Sequence, residues 1–231
     1  MKKRFEVIKA HFEKEALVFD KLFFKVAPHY DEMMTTVVEA VPFPKGKRLK
    51  VVDLGCGTGN FAQKLLKAFP KAQVTCVDMA KNMLAMARAK LGRNQSVSFW
   101  EGDVRDFDYS AKYDIILSSL VLHHIEKREK PAFFRKLCRA LRPGGALFTI
   151  DIFLSPSPHL QKIFINQWKT FMKKNGLSPA RIRDMLMRHR REDRPVCFED
   201  ELAMVRRAGF YQVEVLRKYY NFASYVAFKK V

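Results

Sequence analysis

Val51-Val52-Asp53-Leu54-Gly55-Cys56-Gly57-Thr58-Gly59-Asn60 is a strand-like apolar run that ends in a carboxylate and passes into a loop with three glycines. Glycine lets backbone approach a ligand where a Cβ would collide, and it tolerates positive φ in a strand-to-helix turn. Such a loop is a nucleoside cradle. A dinucleotide fingerprint reads G-x-G-x-x-G around a pyrophosphate. Here the pattern is G-x-G-x-G, with Asn60 where the third glycine would stand, and no phosphate-loop Gly-Lys-Ser/Thr occurs. The loop therefore suits a nucleoside with a zwitterionic amino-acid tail better than a phosphate.

On either side of this loop the chain alternates strands and helices. Val74-Thr75-Cys76-Val77 reads as a second strand closed by Asp78, 25 residues after Asp53. A carboxylate at that strand tip is placed to accept hydrogen bonds from ribose hydroxyls. Val97-Ser98-Phe99-Trp100 is a third strand, followed by Gly102-Asp103-Val104-Arg105-Asp106. Tyr113 to Ser119 is a fourth, and Leu141-Arg142-Pro143-Gly144-Gly145 reads as the turn before a fifth. The alternation from Leu49 to Phe153 predicts a parallel sheet with right-handed crossovers. Residues 1–41 have helical periodicity, ending near Pro28 with a second short helix over Asp31–Val41, and two prolines in Pro42-Phe43-Pro44 separate them from the first strand. Residues 156–208 read as helices interrupted at Gly176 and Pro195, and Tyr211–Leu216 and Phe222–Phe228 as two final strands.

In this order the five segments resemble the motifs of class I S-adenosylmethionine (SAM)-dependent methyltransferases. The resemblance implies an α/β, Rossmann-like, seven-stranded and mostly parallel sheet with helices on both faces. It implies a single domain, with residues 1–41 as helical cap, 49–153 as SAM-binding core, 156–208 as helical lid before strand six and 211–229 as C-terminal hairpin. SAM is the implied cofactor. Its implied contacts are Asp53, Gly55, Cys56, Gly57, Gly59, Asp78, Met79, Met83, Asp103, Val104 and Ser119, with Asp103 beside the adenine amino group. Both ends of the chain also resemble carboxy-SAM synthase, which processes SAM with prephenate, and resemble at least as closely a group of bacterial methyltransferases that share the Tyr219-Tyr220-Asn221-Phe222 ending. In that comparison Tyr30 falls on a tyrosine that contacts the amino-acid tail of SAM. The synthase arginine that holds the transferred carboxylate falls on Leu186, although Arg183 and Arg188 lie about one turn away. Leucine cannot bind a carboxylate, so methyl transfer to a small-molecule acceptor is the expected chemistry.

Methyl transfer from a sulfonium is an in-line displacement that positioning and desolvation can accelerate without a strong base. A base candidate exists in His123, with His124 beside it, just after the fourth strand. The alternative is that one histidine packs under the cofactor while the other is solvated. Adjacent helical residues point apart and no H-x-x-x-H accompanies them, so no metal is expected. Among the aromatics, Phe19, Phe23, Phe24, Phe164, Trp168, Phe171 and Tyr220 are candidates for the acceptor pocket or for the core. Phe19, His124, Trp168 and Tyr220 are named as substrate contacts.

The 231 residues, 48% of them hydrophobic, suit one large domain. Apolar stretches are too short to span a bilayer and charges interrupt the N-terminal segment, so a cytoplasmic location without membrane contact is expected. Four cysteines without a C-x-x-C pair read as reduced structural thiols. The net charge of +19 keeps RNA open as a partner, because a basic surface attracts polyanions. The local maximum at Arg181–Arg194 nevertheless flanks apolar positions and reads as the solvated face of an amphipathic helix.

Overall fold

The computed structural model describes residues 2–231, with side chains from residue 4. Seven strands form one sheet in the order β3-β2-β1-β4-β5-β7-β6. They are β1 (Lys50–Leu54), β2 (Gln73–Asp78), β3 (Val97–Glu101), β4 (Tyr113–Ser119), β5 (Leu141–Ile152), β6 (Phe210–Tyr219) and β7 (Phe222–Lys229). β1 to β5 pair in parallel, whereas β7 is antiparallel to both β5 and β6. Among the described residues no helix is long and apolar enough to cross a membrane.

The central strands are buried on both faces, and the pleat sorts their side chains into two cores. Val51, Ile115, Leu117, Phe148 and Ile150 face α3 (Tyr30–Glu39), α4 (Asn60–Ala68), α5 (Lys81–Leu91) and α7 (Pro158–Lys174). Val52, Leu54, Ile116 and Leu147 face α6 (Lys130–Ala140) and α9 (Phe198–Arg207). α9 is therefore part of a core layer, with Leu202 and Val205 packed in the cluster that holds Phe134 and Leu137. The lid expected over 156–208 thus ends earlier, with α8 (Pro179–Glu192). Helical periodicity shows an apolar stripe but not which layer covers it, which is why α9 was grouped with the lid.

Three other boundaries differ from the sequence expectation. The N-terminal cap has a break at residues 16–18 that divides α1 (Lys2–Glu15) from α2 (Phe19–Val26). The Pro143-Gly144 segment is an irregularity inside β5, which pairs Tyr113 with Leu141 and resumes at Ile115 with Ala146. β6 runs on to Tyr219, so only Tyr220 and Asn221 turn the final hairpin, with Tyr220 at φ 52. Ser157 and Ser178 accept backbone N–H bonds at the starts of α7 and α8, and a proline follows each as the first helical residue.

Candidate functional site

Strand order reverses between β1 and β4, and in open α/β sheets ligands bind beyond the strand ends at that point. The main cavity lies there. Its floor is made by strand ends and its roof by α1, α2 and α8.

The floor is held by backbone donors. Gly57 and Ala80 N–H groups each donate to one oxygen of Asp78 at 2.8 Å. Gly55 has φ +64, and a Cβ there would lie 2.1 Å from Val121 Cγ2, so the loop needs glycine for conformation and for space. Asp53 is 1% exposed, and neither carboxylate oxygen meets a donor in hydrogen-bonding geometry, with only the Ala62 N–H nearby. Burial and the neighbouring Asp78 charge push the Asp53 carboxyl up to about 7. Burial likewise raises Asp78 to about 6, against hydrogen bonds from Ala80 and Gly57. An orphaned buried carboxylate beside a glycine cradle fits an ammonium-bearing nucleoside, which would supply the missing charge. Tyr30 is hydrogen-bonded to Ser119 at 2.7 Å, and burial raises its phenol well above the ordinary value.

Asp103 lines the cavity, but both of its oxygens are engaged by Arg105, at 3.0 Å from Nε and 2.6 Å from Nη2. Arg105 in turn lies 3.9 Å over the Phe5 ring of α1. An adenine contact at Asp103 would use a remaining lone pair of a carboxylate already in an ion pair.

The roof combines aromatic and ionic contacts. Phe5, Ile8, Phe12, Phe19, Leu22 and Phe23 line its apolar part. Glu13 accepts backbone N–H bonds from Lys81 and Asn82 at 2.7 and 2.8 Å, capping α5 from another helix. Asp20 accepts from Asn60 at 2.8 Å and from Lys90 at 3.0 Å. Arg4 donates to the His124 carbonyl at 2.8 Å and to Glu126 at 3.0 Å. Glu15 is paired with Arg181 and lies 3.2 Å from Arg188. Against burial, a hydrogen bond from His11 and the charges of His11, Arg188 and Arg181 hold Glu15 down at about 2. Arg188 lines the cavity, whereas Leu186 packs against the core and Arg183 is exposed.

At the polar end of the cavity, Leu120 has φ 56 and turns the chain out of β4 into a 3₁₀ turn, Leu122–His124. His123 Nδ1 is bonded to Asp151 of β5, whose other oxygen accepts the His123 N–H at 3.1 Å. Burial opposes the charged imidazole, but Asp151 and Asp193 outweigh it and His123 is raised. His124 is pulled down to about 3 by burial and by His123. The two rings have centroids 4.1 Å apart and both line the cavity. These adjacent residues do not point apart as they would in a regular α-helix, because a 3₁₀ turn after a left-handed residue carries both rings to one side.

Of the residues named from sequence, Phe19, Tyr30, Asp53, Gly55, Cys56, Gly57, Asp78, Met79, Met83, Asp103, Val104, Ser119, His123, His124 and Trp168 lie around this one cavity. Gly59 does not line it. It starts α4 in the left-handed conformation, and a Cβ there would meet Leu91 Cδ1 at 2.9 Å. Tyr220 is outside as well, in the hairpin turn with its ring against Phe164 at 5.5 Å. Phe24 and Phe171 are also absent from the lining. Trp168 donates from Nε1 to the Val26 carbonyl at 2.7 Å, so it braces α2 while forming wall. Arg188, offered by the sequence as a stand-in for the missing arginine, does reach the cavity, whereas Phe5, His11, Glu15, Asp151 and Asp193 carry no such signal, since their partners lie far along the chain. The 3–4 spacing of Phe5, Ile8 and Phe12 was the available signal.

Sheet order, strand-end carboxylates and glycine loop together are those of the class I SAM-dependent methyltransferase fold, an enzyme fold that takes SAM as its cofactor. Residues 51–145 match the methyltransferase domain family. The chain is similar to carboxy-S-adenosyl-L-methionine synthase of Trichodesmium erythraeum, 26% identical over 92% of this chain and 85% of that protein. It is similar to the synthase of Wolinella succinogenes, 29% identical over 99% and 95%. Among solved structures it resembles human N-acetylserotonin methyltransferase in complex with SAM, with TM-score 0.63, 18% identity and coverage of 95% of this chain and 57% of that one. It also resembles a Haemonchus contortus N-methyltransferase bound to S-adenosylhomocysteine, with TM-score 0.69, 15% identity and coverage of 95% and 58%. The chain thus spans somewhat over half the length of these solved chains.

Proposed function

We propose that this protein transfers the methyl group of SAM to a small-molecule acceptor held under the roof of α1, α2 and α8. The observation that carries the reading is the continuity of one cavity from the glycine loop to a vault closed by Phe5, Ile8, Phe12, Phe19 and Phe23. A roofed apolar vault admits a small ligand and leaves no open track for a polymer. Bound SAM supplies an electrophilic methyl on a sulfonium. This chain contributes alignment, exclusion of water and a polar cluster, His123, His124 and Asp193, for an acceptor that must lose a proton. His123 is the candidate base, oriented by Asp151.

In this reading Asp53, Gly55, Gly57, Asp78, Met79, Met83, Asp103, Val104, Ser119 and Tyr30 surround SAM, with Asp53 facing its ammonium. The whole chain acts as one domain, cap and lid included. Exposed Arg183 and Arg190 face solvent on α8 and account for part of the basic charge without an RNA substrate. The test is a labelled-methyl screen across metabolite and RNA pools. Label in the small-molecule fraction supports the reading; label in RNA, with salt-sensitive RNA binding, overturns it.

A second reading has its own observation. Arg188 reaches the cavity that Leu186 does not, so a carboxylate-bearing sulfonium has one cation available, as in a carboxy-SAM synthase. Glu15 and His11 already occupy that guanidinium, which favours methyl transfer. Incubation with SAM and prephenate followed by mass spectrometry separates the two. A product heavier than SAM by one CO₂, lost in Arg188→Leu, would replace the first reading.

A further inference from the structure

We propose that His123 Nε2, His124 Nδ1 and Asp193 Oδ1 form a three-ligand site for a divalent transition-metal ion of the zinc type, open to the cavity at its fourth position. The proposal rests on the reading above only for the identity of the cavity, and a bound cation, by taking the His123 Nε2 lone pair, replaces the base role given there to His123.

The three donors come from two parts of the chain. His123 and His124 leave β4 on the 3₁₀ turn, and Asp193 ends α8. Their ligand atoms all lie within 4.8 Å of one another. Asp193 Oδ1 is 3.3 Å from His124 Nδ1 and 3.6 Å from His123 Nε2. Bonds of about 2.0–2.1 Å in a tetrahedral site place ligand atoms about 3.3 Å apart, so the two pairs with Asp193 are already close to that spacing and the two imidazoles close on each other from within 4.8 Å. Two imidazoles and a carboxylate suit zinc-type cations rather than magnesium or calcium, which take oxygen ligands.

The supporting contacts are those a metal site needs. Asp151 binds His123 Nδ1, which leaves Nε2 as the free donor facing the cluster. Asp193 Oδ2 is held by His189 Nδ1 at 2.6 Å, which leaves Oδ1 for the cluster. Both ring nitrogens of His124 are buried with no hydrogen-bond partner, and a cation at Nδ1 would satisfy the one that faces the cluster. Nearby cations are already paired. Arg4 and Arg194 meet Glu126, and Lys130 meets Glu201, so Asp151 and Asp193 dominate the local field.

The experiment uses the full chain after chelator treatment, titrated with ZnCl₂ by calorimetry and with Co²⁺ by visible absorption. Expected are one cation per chain and ligand-field bands of low-coordinate Co²⁺ without a sulfur-to-cobalt charge-transfer band. His124→Ala and Asp193→Asn are each expected to lose at least about tenfold in affinity, Asp151→Asn about 10- to 100-fold, and exposed His159→Ala nothing. Circular dichroism and a cooperative melt establish that each variant is folded. Absence of binding to folded wild type, equal binding by His124→Ala and Asp193→Asn, or a thiolate band pointing to the cysteines overturns the site. Failure of S-adenosylhomocysteine to bind wild type would instead overturn the cofactor reading and leave this one standing.

Discussion

The floor and the roof of the cavity are built on different physics. In the floor, Asp78 sits at a strand end and is positioned by backbone, taking the N–H groups of Gly57 and Ala80, 21 and two residues away. Much of the roof is instead held by side-chain pairs distant in sequence, 70 residues apart for Asp20 with Lys90 and 173 for Glu15 with Arg188. Backbone donors come with the fold, whereas a side-chain partner must be chosen twice, once at each position. The floor is therefore a property of the topology and the roof a property of this particular chain.

The comparison is tested most severely beneath the floor, where α6 and α9 are joined by Lys130 and Glu201 at 2.6 Å, each almost fully buried, with Tyr225 Oη donating to Glu201 at 3.1 Å. Lys130→Ala leaves Glu201 buried without a counter-charge and is expected to destabilise by about 3–5 kcal/mol in chemical denaturation. A loss below about 1 kcal/mol would mean that this layer is as loosely held as the roof. Gly55→Ala tests the floor itself. Left-handed strain and the Val121 clash are expected to cost about 2–4 kcal/mol and to abolish S-adenosylhomocysteine binding, with partial rescue by Val121→Ala. Undiminished binding in the single variant would show that the loop does not hold the cofactor.

Acid and neutral pH should separate the two regions with opposite sign. Asp53 and Asp78 lie at about 7 and about 6 in the folded chain against an ordinary 3.8, so the folded state binds more protons in that window. Their contribution is present at low pH and is lost as pH rises from about 4 through 7. Glu15 and Asp193 are held at about 2 against 4.5 and 3.8, Asp193 by His123 and by a hydrogen bond from His189 in opposition to burial. Their contribution is present above those ordinary values and is lost as pH falls toward 2. Melting of the ligand-free protein is expected to decline on both sides, with saturating S-adenosylhomocysteine removing the decline above about pH 4. A melting temperature flat across the upper window would refute the floor assignment. The smallest effect is expected in the roof: Arg181→Ala, where the arginine is partly exposed and Glu15 keeps Arg188 as a partner, should cost at most about 1 kcal/mol. A larger loss would make α8 part of the folding core.

The same division explains what was legible in the sequence. β1 and Asp53 could be read because an apolar run, an acid and glycines fall within ten consecutive residues, and β2 because a second apolar run ends in Asp78 25 residues on. Seven strands followed from alternation and the resemblance together. Arg4, Glu13, Glu15 and Asp193 were illegible because a charged residue on a helix looks solvated until its partner's position is known. His123 and His124 were judged by ideal helical geometry, which the left-handed Leu120 suspends. Tyr220, expected in the pocket as one of the aromatics near the strand ends, is carried out of it by the two-residue turn.

Because Asp20–Lys90, Arg4–Glu126 and Arg181–Glu15 close the vault with ion pairs that water reaches in part, dissolved salt becomes a control on ligand exchange. Screening acts over about 8 Å at physiological ionic strength and bears on partly exposed pairs far more than on buried ones. Raising ionic strength should speed release of S-adenosylhomocysteine in stopped-flow measurements while leaving the unfolding midpoint nearly unchanged, so that the vault works as a salt-tuned valve on a salt-indifferent frame.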